Sequence, residues 1–104
     1  MDEKEFNLIC EFCDNWFIDK KVQSLENGLI QDLKSKGYNV KLIVHPSNSQ
    51  AKPYYIYLQK GNINKIILSN NANLHRKEGA IIDYSITKSN QKKVVDKIIS
   101  EIQK

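Results

Sequence analysis

The sequence is poor in residues that mark several common classes of protein. It has one arginine, Arg76, two cysteines, two prolines and no long apolar run. Arginine is the preferred side chain for bidentate recognition of phosphates and guanines, so its scarcity argues against nucleic-acid binding despite the net charge of +4. A membrane-spanning helix needs ~18 consecutive apolar residues, and the absence of such a run argues against membrane insertion.

The length and composition predict a single domain over residues 1–104. The chain is 40% hydrophobic and 27% charged, which is ordinary for a globular protein. Residues 1–5 are largely charged and the apolar stretch after them is short, which is the wrong order and length for a secretory signal. We therefore expect a cytoplasmic, reducing setting, where neighbouring cysteines point to redox or metal chemistry rather than a structural staple.

Hydrophobic periodicity predicts the order strand, helix, strand, strand, strand, helix. The predicted elements are a strand over 6–10, a helix over 16–36 ended by Gly37, strands over 38–45 and 54–59, a tight turn at 60–62, a strand around 66–68, and a helix from Ser89 or Asn90. The apolar patch at 80–86 is either a fifth strand fragment or a loop packed on the core. A right-handed crossover makes the first two strands parallel. The prediction is an α/β, thioredoxin-like fold with a mixed four-stranded sheet and two helices.

The two cysteines, Cys10 and Cys13, form a Cys-x-x-Cys pair at the predicted junction of the first strand and the first helix. A helix terminus places unpaired N–H groups and the positive end of the dipole beside the first sulfur, which favours the thiolate. The acidic neighbours Glu11 and Asp14 oppose this effect. The pattern therefore predicts a catalytic dithiol, modestly activated, that cycles through a disulfide.

Two other interpretations of the cysteines stay open. A zinc site normally has four ligands, and the remaining candidates, His45 and His75, are distant in sequence and lack ligand spacing. Both histidines are therefore predicted to be ordinary surface residues, and no metal or resident cofactor is expected. The second interpretation is that Cys10 or Cys13 is a buried spectator, because free cysteine packs as a small hydrophobe.

Three further residues are candidates for contact with a substrate. Pro53 precedes the third strand, where thioredoxin-fold enzymes carry a cis-proline facing the Cys-x-x-Cys; an ordinary loop proline is the alternative. Phe12 and Trp16 flank the cysteines and are candidates for an apolar rim, although aromatic residues at such positions more often belong to the core.

The residues Leu8-Ile9-Cys10-Glu11-Phe12-Cys13, with the order of elements that follows them, resemble the selenoprotein W-like group of small thioredoxin-fold proteins. That group has Cys-x-x-Cys or a selenocysteine in the second place, so the resemblance implies that Cys13 is reactive. Helix geometry favours Cys10 as the attacking sulfur, and both assignments stay open. The segment at 52–56 departs from the group's usual pattern of small residues and a glycine before the third strand.

The first functional hypothesis is a small thiol-disulfide oxidoreductase or redox-responsive protein. One cysteine attacks a protein disulfide or is oxidised by peroxide, the other resolves the intermediate, and glutathione or thioredoxin reduces the resulting disulfide. The alternative is a non-enzymatic module that uses a thioredoxin-like scaffold to dock a protein, since a fold does not establish a function.

Overall fold

A computed structural model describes residues 6–13, 18–47, 50 and 52–104, and shows an α/β protein built on one five-stranded mixed sheet. In chain order the elements are β1 Phe6–Cys13, α1 Ile18–Leu25, a π-helical stretch Glu26–Ile30, α2 Gln31–Ser35, β2 Val40–Ser47, β3 Tyr54–Lys60, β4 Ile63–Ser69, α3 Ala72–His75, a 3-10 turn Arg76–Glu78, β5 Ile81–Ile82 and α4 Gln91–Gln103. The predicted α/β class is confirmed.

The strand order is β2-β1-β3-β4-β5. β1 pairs with β2 in parallel and with β3 antiparallel, β3 and β4 form an antiparallel hairpin, and β5 lies parallel to β4. The predicted count of four strands and two helices is wrong. Ile81 and Ile82 pair with Leu68 and Ser69 and add a short fifth strand, and α3 adds a helix between β4 and β5.

The hydrophobic core lies between one face of the sheet and the long helical segments. Alternate residues of β1 supply the sheet side, and the buried members of the cluster from β1 and the helices are Phe6, Leu8, Cys10, Phe12, Leu25, Leu29, Ile30, Leu33, Val94, Val95 and Ile98. Side chains two apart in a strand share a face and those three or four apart share a helix stripe, which is why these positions meet.

One continuous helical segment, α1 through α2, connects β1 to β2. The predicted end at Gly37 is confirmed: α2 stops at Ser35, Gly37 adopts φ +90°, and the N–H of Tyr38 donates to the carbonyl of Leu33 at 2.9 Å. Gly28 lies in the π-helical stretch and faces α4, where an added Cβ would lie 2.8 Å from Oε1 of Gln91.

The predicted hairpin after residue 60 is also confirmed. β3 and β4 are joined through Gly61, which adopts φ +59°, a conformation that glycine reaches without steric cost. None of the helices in the described part of the chain has the length and apolarity that a membrane crossing requires.

Candidate functional site at the carboxyl edge of the sheet

The two cysteines lie within β1 rather than at a strand-to-helix junction. β1 extends through Cys13, where the sequence predicted its end at Cys10, and within the described residues the following helix begins at Ile18. Pairing on both sides explains the extension, because β1 is flanked by β2 and β3 as far as Phe12 and by β2 as far as Cys13. The predicted placement of Cys10 at a helix terminus is therefore wrong.

Cys10 is fully buried in the core. Burial raises the pKa of its thiol to about 12, because the thiolate loses solvation that nothing nearby replaces. The sequence predicted that a helix dipole would modestly favour the thiolate of Cys10. Burial instead strongly disfavours that thiolate. This agrees with the spectator interpretation for Cys10 and leaves Cys13, which is half-buried, as the more accessible sulfur.

The strand geometry separates the two thiols, both of which are free. Cys10 shares the core-facing side of β1 with Leu8 and Phe12, whereas Cys13 falls on the opposite, half-buried side. Three residues of extended strand span about 10 Å, whereas Cα atoms joined by a disulfide lie within about 7 Å. A Cys10–Cys13 disulfide therefore requires the end of β1 to leave the sheet.

The structure places Pro53 beside Cys13. The N–H of Cys13 donates to the carbonyl of Pro53 at 3.1 Å, and Pro53 is buried. The cis-proline interpretation is wrong, because the described residues contain no cis peptide bond. Phe12 belongs to the core and not to an exposed rim, since none of its surface is accessible. Trp16 and Asp14 lie outside the described residues.

The histidines differ from each other in their surroundings. His45 is exposed, as predicted. His75 is not a surface residue: it is 5% exposed, and its Nδ1 lies 2.7 Å from the hydroxyl of Ser69. Its ring meets Tyr55 and Tyr57 edge-on, on the sheet face opposite the core. The fold buries it because α3, which sequence periodicity did not reveal, caps this part of the sheet.

We expect the two thiols to react at very different rates with a colorimetric disulfide reagent near neutral pH. The raised pKa of Cys10 and its burial predict one fast thiol, Cys13, with the second appearing only after a denaturant is added. A Cys13→Ser variant should lose the fast phase and a Cys10→Ser variant should keep it. Two thiols that react together in the folded protein would contradict this assignment.

A second group of side chains converges where the carboxyl ends of β1, β2, β4 and β5 meet. These strands run in one direction, and β3 begins at the same edge with Tyr54 paired to Phe12. Ligands of open α/β sheets bind at this edge. Here α1 and the segment at 83–90 enclose a groove of about 360 Å³, called the Tyr84 groove. Its lining residues are Lys20, Lys21, Ser24, Leu25, Tyr54, Tyr84, Ser85 and Ile86.

Tyr54 and Lys21 form the inner wall of the Tyr84 groove. The ring of Tyr54 lies 4.6 Å from that of Phe12, and the Lys21 ammonium sits 5.8 Å and 5.9 Å from the two ring centroids. Burial raises the pKa of the Tyr54 hydroxyl to about 12, with a further increase from Cys10, while the N–H of Ile86 acts in the opposite direction. The phenol therefore stays protonated and can donate a hydrogen bond.

The outer wall is a loop held by the side chain of Asn90. Its Nδ2 donates to Oδ2 of Asp83 and to the carbonyl of Ser85, both at 2.8 Å, and its Oδ1 accepts from the N–H of Thr87 at 2.8 Å. Asn90 is 6% exposed, and the three bonds that it makes are part-buried. The loop they fix presents Tyr84, which is 83% exposed.

Asp83 makes this loop sensitive to acid. Hydrogen bonds from Asn90 and from the N–H of Tyr84, with the charge of Lys93, hold its pKa below the ordinary value of 3.8. A lowered pKa stabilises the fold at pH values above about 4, and the contribution is lost as pH falls through the folded-state pKa. We expect Asp83→Asn to flatten that part of the stability profile, measured by denaturant unfolding between about pH 6 and about pH 2. An unchanged acid slope would contradict this role.

Sequence analysis missed the residues of this groove, although two signals were present. Lys20 and Lys21 occupy the first turn of α1, where the helix dipole disfavours cations, and such local conflicts often mark functional positions. The sequence predicted only that the last helix starts at Ser89 or Asn90. Asn90 is the N-cap residue of α4, but its side chain bonds the preceding loop instead of the helix.

The chain was also compared with known proteins. No protein-family model matches it, and neither a curated protein nor a solved structure matches it.

Proposed function

We propose that the protein is a non-enzymatic binding module that docks a partner protein in the Tyr84 groove. The observation that carries this proposal is the combination of an 83%-exposed Tyr84 with a loop locked by a buried asparagine. Rigid, exposed aromatic side chains are the commonest anchors of protein interfaces because little conformational entropy is lost when they are covered. Neither Cys10 nor Cys13 lines this groove, so docking there uses no thiol.

The proposed scaffold is thioredoxin-like and of the selenoprotein W-like kind. Its support is the parallel β1–β2 pair joined through a helical segment, with the β3–β4 hairpin beside β1 and α4 packed on the same core. β5 and α3 are additions to that arrangement.

Thiol-disulfide exchange is the second candidate function, and the position of Cys13 favours it. Cys13 is half-buried, is the last residue of β1 and lies next to Pro53. It is also the residue that the resemblance implies is reactive. With Cys10 buried on the other face, the proposed chemistry is attack of the Cys13 thiolate on a partner disulfide: the partner's S–S bond breaks, one of its sulfurs forms a mixed disulfide with Cys13, and the other leaves as a thiolate.

Capture of the partner from an extract of the source cells separates the two functions. We expect Tyr84→Ala to weaken binding of the purified partner about tenfold, the effect of losing one interface anchor. Leu74→Ala, which removes another exposed apolar side chain at 56% exposure, is the matched control and should leave binding unchanged. Calorimetry supplies both affinities.

A complex that survives reductant and the Cys13→Ser substitution supports the binding module. A complex released by reductant and abolished by Cys13→Ser supports thiol exchange. Equal affinities for the Tyr84→Ala and Leu74→Ala variants would show that the Tyr84 groove is not the docking site.

A further inference from the structure

The chemistry of the Tyr84 groove restricts the kind of partner that fits it, and this inference rests on the proposed function. Leu25 and Ile86 supply apolar surface, together with the ring of Tyr54. The volume of about 360 Å³ falls in the lower part of the ~300–1,000 Å³ range of ligand sites. A floor of this size and polarity suits one large apolar side chain rather than an extended apolar surface.

The charge beside the floor is positive. Lys20 and Lys21 line the groove together with hydroxyl groups of Ser24, Tyr54 and Ser85, and none of the described residues that line it carries a carboxylate. Lys21 is half-buried and its ammonium lies over two aromatic rings, which limits the positions that it samples. A carboxylate placed beside this ammonium is partly shielded from water, so the pair is stronger than a fully exposed one.

The cations of the groove are lysine ammonium groups, which pair with an anion as point charges. None of the described residues that line the groove is an arginine, so it lacks the planar fork that binds a phosphate in a bidentate way. The chain's net charge of +4 additionally attracts acidic segments and repels basic ones. Both the lysines and the net charge therefore favour an acidic segment over a basic one.

We infer that the Tyr84 groove takes an extended acidic segment of a partner protein, with one large apolar side chain on the floor and a flanking carboxylate beside Lys21. Tyr84 then covers the apolar side chain from the solvent side. Attraction between the acidic segment and the lysines accelerates association, and it weakens as salt screens the charges.

Fluorescence anisotropy with labelled synthetic heptapeptides tests this inference. The first probe has a central phenylalanine flanked by glutamates, the second has alanine in place of the phenylalanine, and the third has lysines in place of the glutamates. We expect the first to bind best, with a loss of about tenfold for the alanine probe. Raising ionic strength from about 0.01 M to about 1 M shortens the screening length from about 30 Å to about 3 Å and should weaken binding further.

A charge reversal locates the interaction. Lys21→Glu should weaken the glutamate probe about tenfold and strengthen the lysine probe, whereas Lys41→Glu, on the separate groove beside β2, should change neither. Equal binding of all three probes overturns the inference. If the glutamate probe does not bind but calorimetry detects binding of millimolar inorganic phosphate that Lys21→Glu abolishes, the groove takes a phosphate instead and the inference is overturned.

The outcome is separable from that of the proposed function. If Tyr84→Ala releases the captured partner but Lys21→Glu does not, docking in the Tyr84 groove stands and the acidic partner is excluded. If neither substitution has an effect, both proposals fail.

Discussion

Replacing Phe12 by alanine is expected to lower the free energy of unfolding by about 3–5 kcal/mol, the usual cost of removing a fully buried aromatic ring. Phe12 has no accessible surface and stacks on Tyr54 at 4.6 Å, beneath the Lys21 ammonium. The loss is large because a domain of this size has a total stability of about 5–15 kcal/mol. Denaturant unfolding followed by far-ultraviolet circular dichroism measures it.

Two variants control for this result. Phe12→Leu keeps most of the buried volume and should cost clearly less than Phe12→Ala. Ile63→Ala removes a side chain that is 69% exposed at the β3–β4 hairpin and should change stability by no more than about 0.5 kcal/mol. If Phe12→Ala cost as little as Ile63→Ala, the ring would not lie in the core. Phe12→Ala should also weaken partner binding in the Tyr84 groove, because Tyr54 and Lys21 lose the ring that they contact.

Asn90→Ala is expected to cost about 2–3 kcal/mol, because it removes three part-buried hydrogen bonds worth about 1 kcal/mol each. Asn90 holds Asp83, Ser85 and Thr87, and it is almost completely buried. Ser89→Ala is a suitable neighbour for comparison, since Ser89 is exposed and should tolerate the change. Thermal unfolding of both variants ranks the two effects.

The Asn90→Asp variant tests the contact between residue 90 and Asp83. An aspartate keeps the acceptor for Thr87 but places a second carboxylate against Asp83, where Nδ2 of Asn90 now lies 2.8 Å from Oδ2. Like charges at this distance raise a carboxyl pKa, so this variant should regain stability relative to the parent as the carboxyls are protonated. An acid dependence identical to that of the parent would show that the contact does not form.

The same loop connects stability to the proposed function. Because Asn90 fixes the segment that presents Tyr84, Asn90→Ala should weaken partner binding even where the protein stays folded. A variant that remains folded and binds with unchanged affinity would show that the order of this loop does not matter for docking.

The sequence predicted elements with strong periodicity and clear termination signals. A short apolar run bracketed by charge identified β1, and aromatic and branched residues identified β3. The stripe of Val94, Val95 and Ile98 identified α4, and Gly37 correctly ended the first helical segment. In these segments the local pattern and the tertiary environment agree, so the pattern is informative. β5 was visible only as an ambiguous patch, because two residues are too few to show a period.

The site required long-range information. Phe12, Tyr54 and Lys21 are brought together by strand pairing and by the placement of α1, and the loop beside them depends on the side chain of Asn90. No local window of sequence contains the contacts of Tyr54 with Phe12 and Lys21, whereas the Asn90 bonds reach only three to seven residues and depend on how the loop folds. The strongest signal of the Tyr84 groove in the sequence was the lysine pair in the first turn of α1. That pair indicates a site only once the loop held by Asn90 is known to lie opposite it.

The Cys-x-x-Cys pair shows most clearly what the sequence determines and what the tertiary structure decides. The sequence by itself determined that Cys10 and Cys13 are the chain's two thiols, three positions apart on an apolar segment of an α/β protein. In a helix a separation of three positions is about one turn, whereas in a strand it places the side chains on opposite faces. Strand pairing decided between the two, because β2 and β3 flank this segment and hold it extended. That pairing buries Cys10 and leaves Cys13 at the edge beside Pro53, since side chains alternate along a strand.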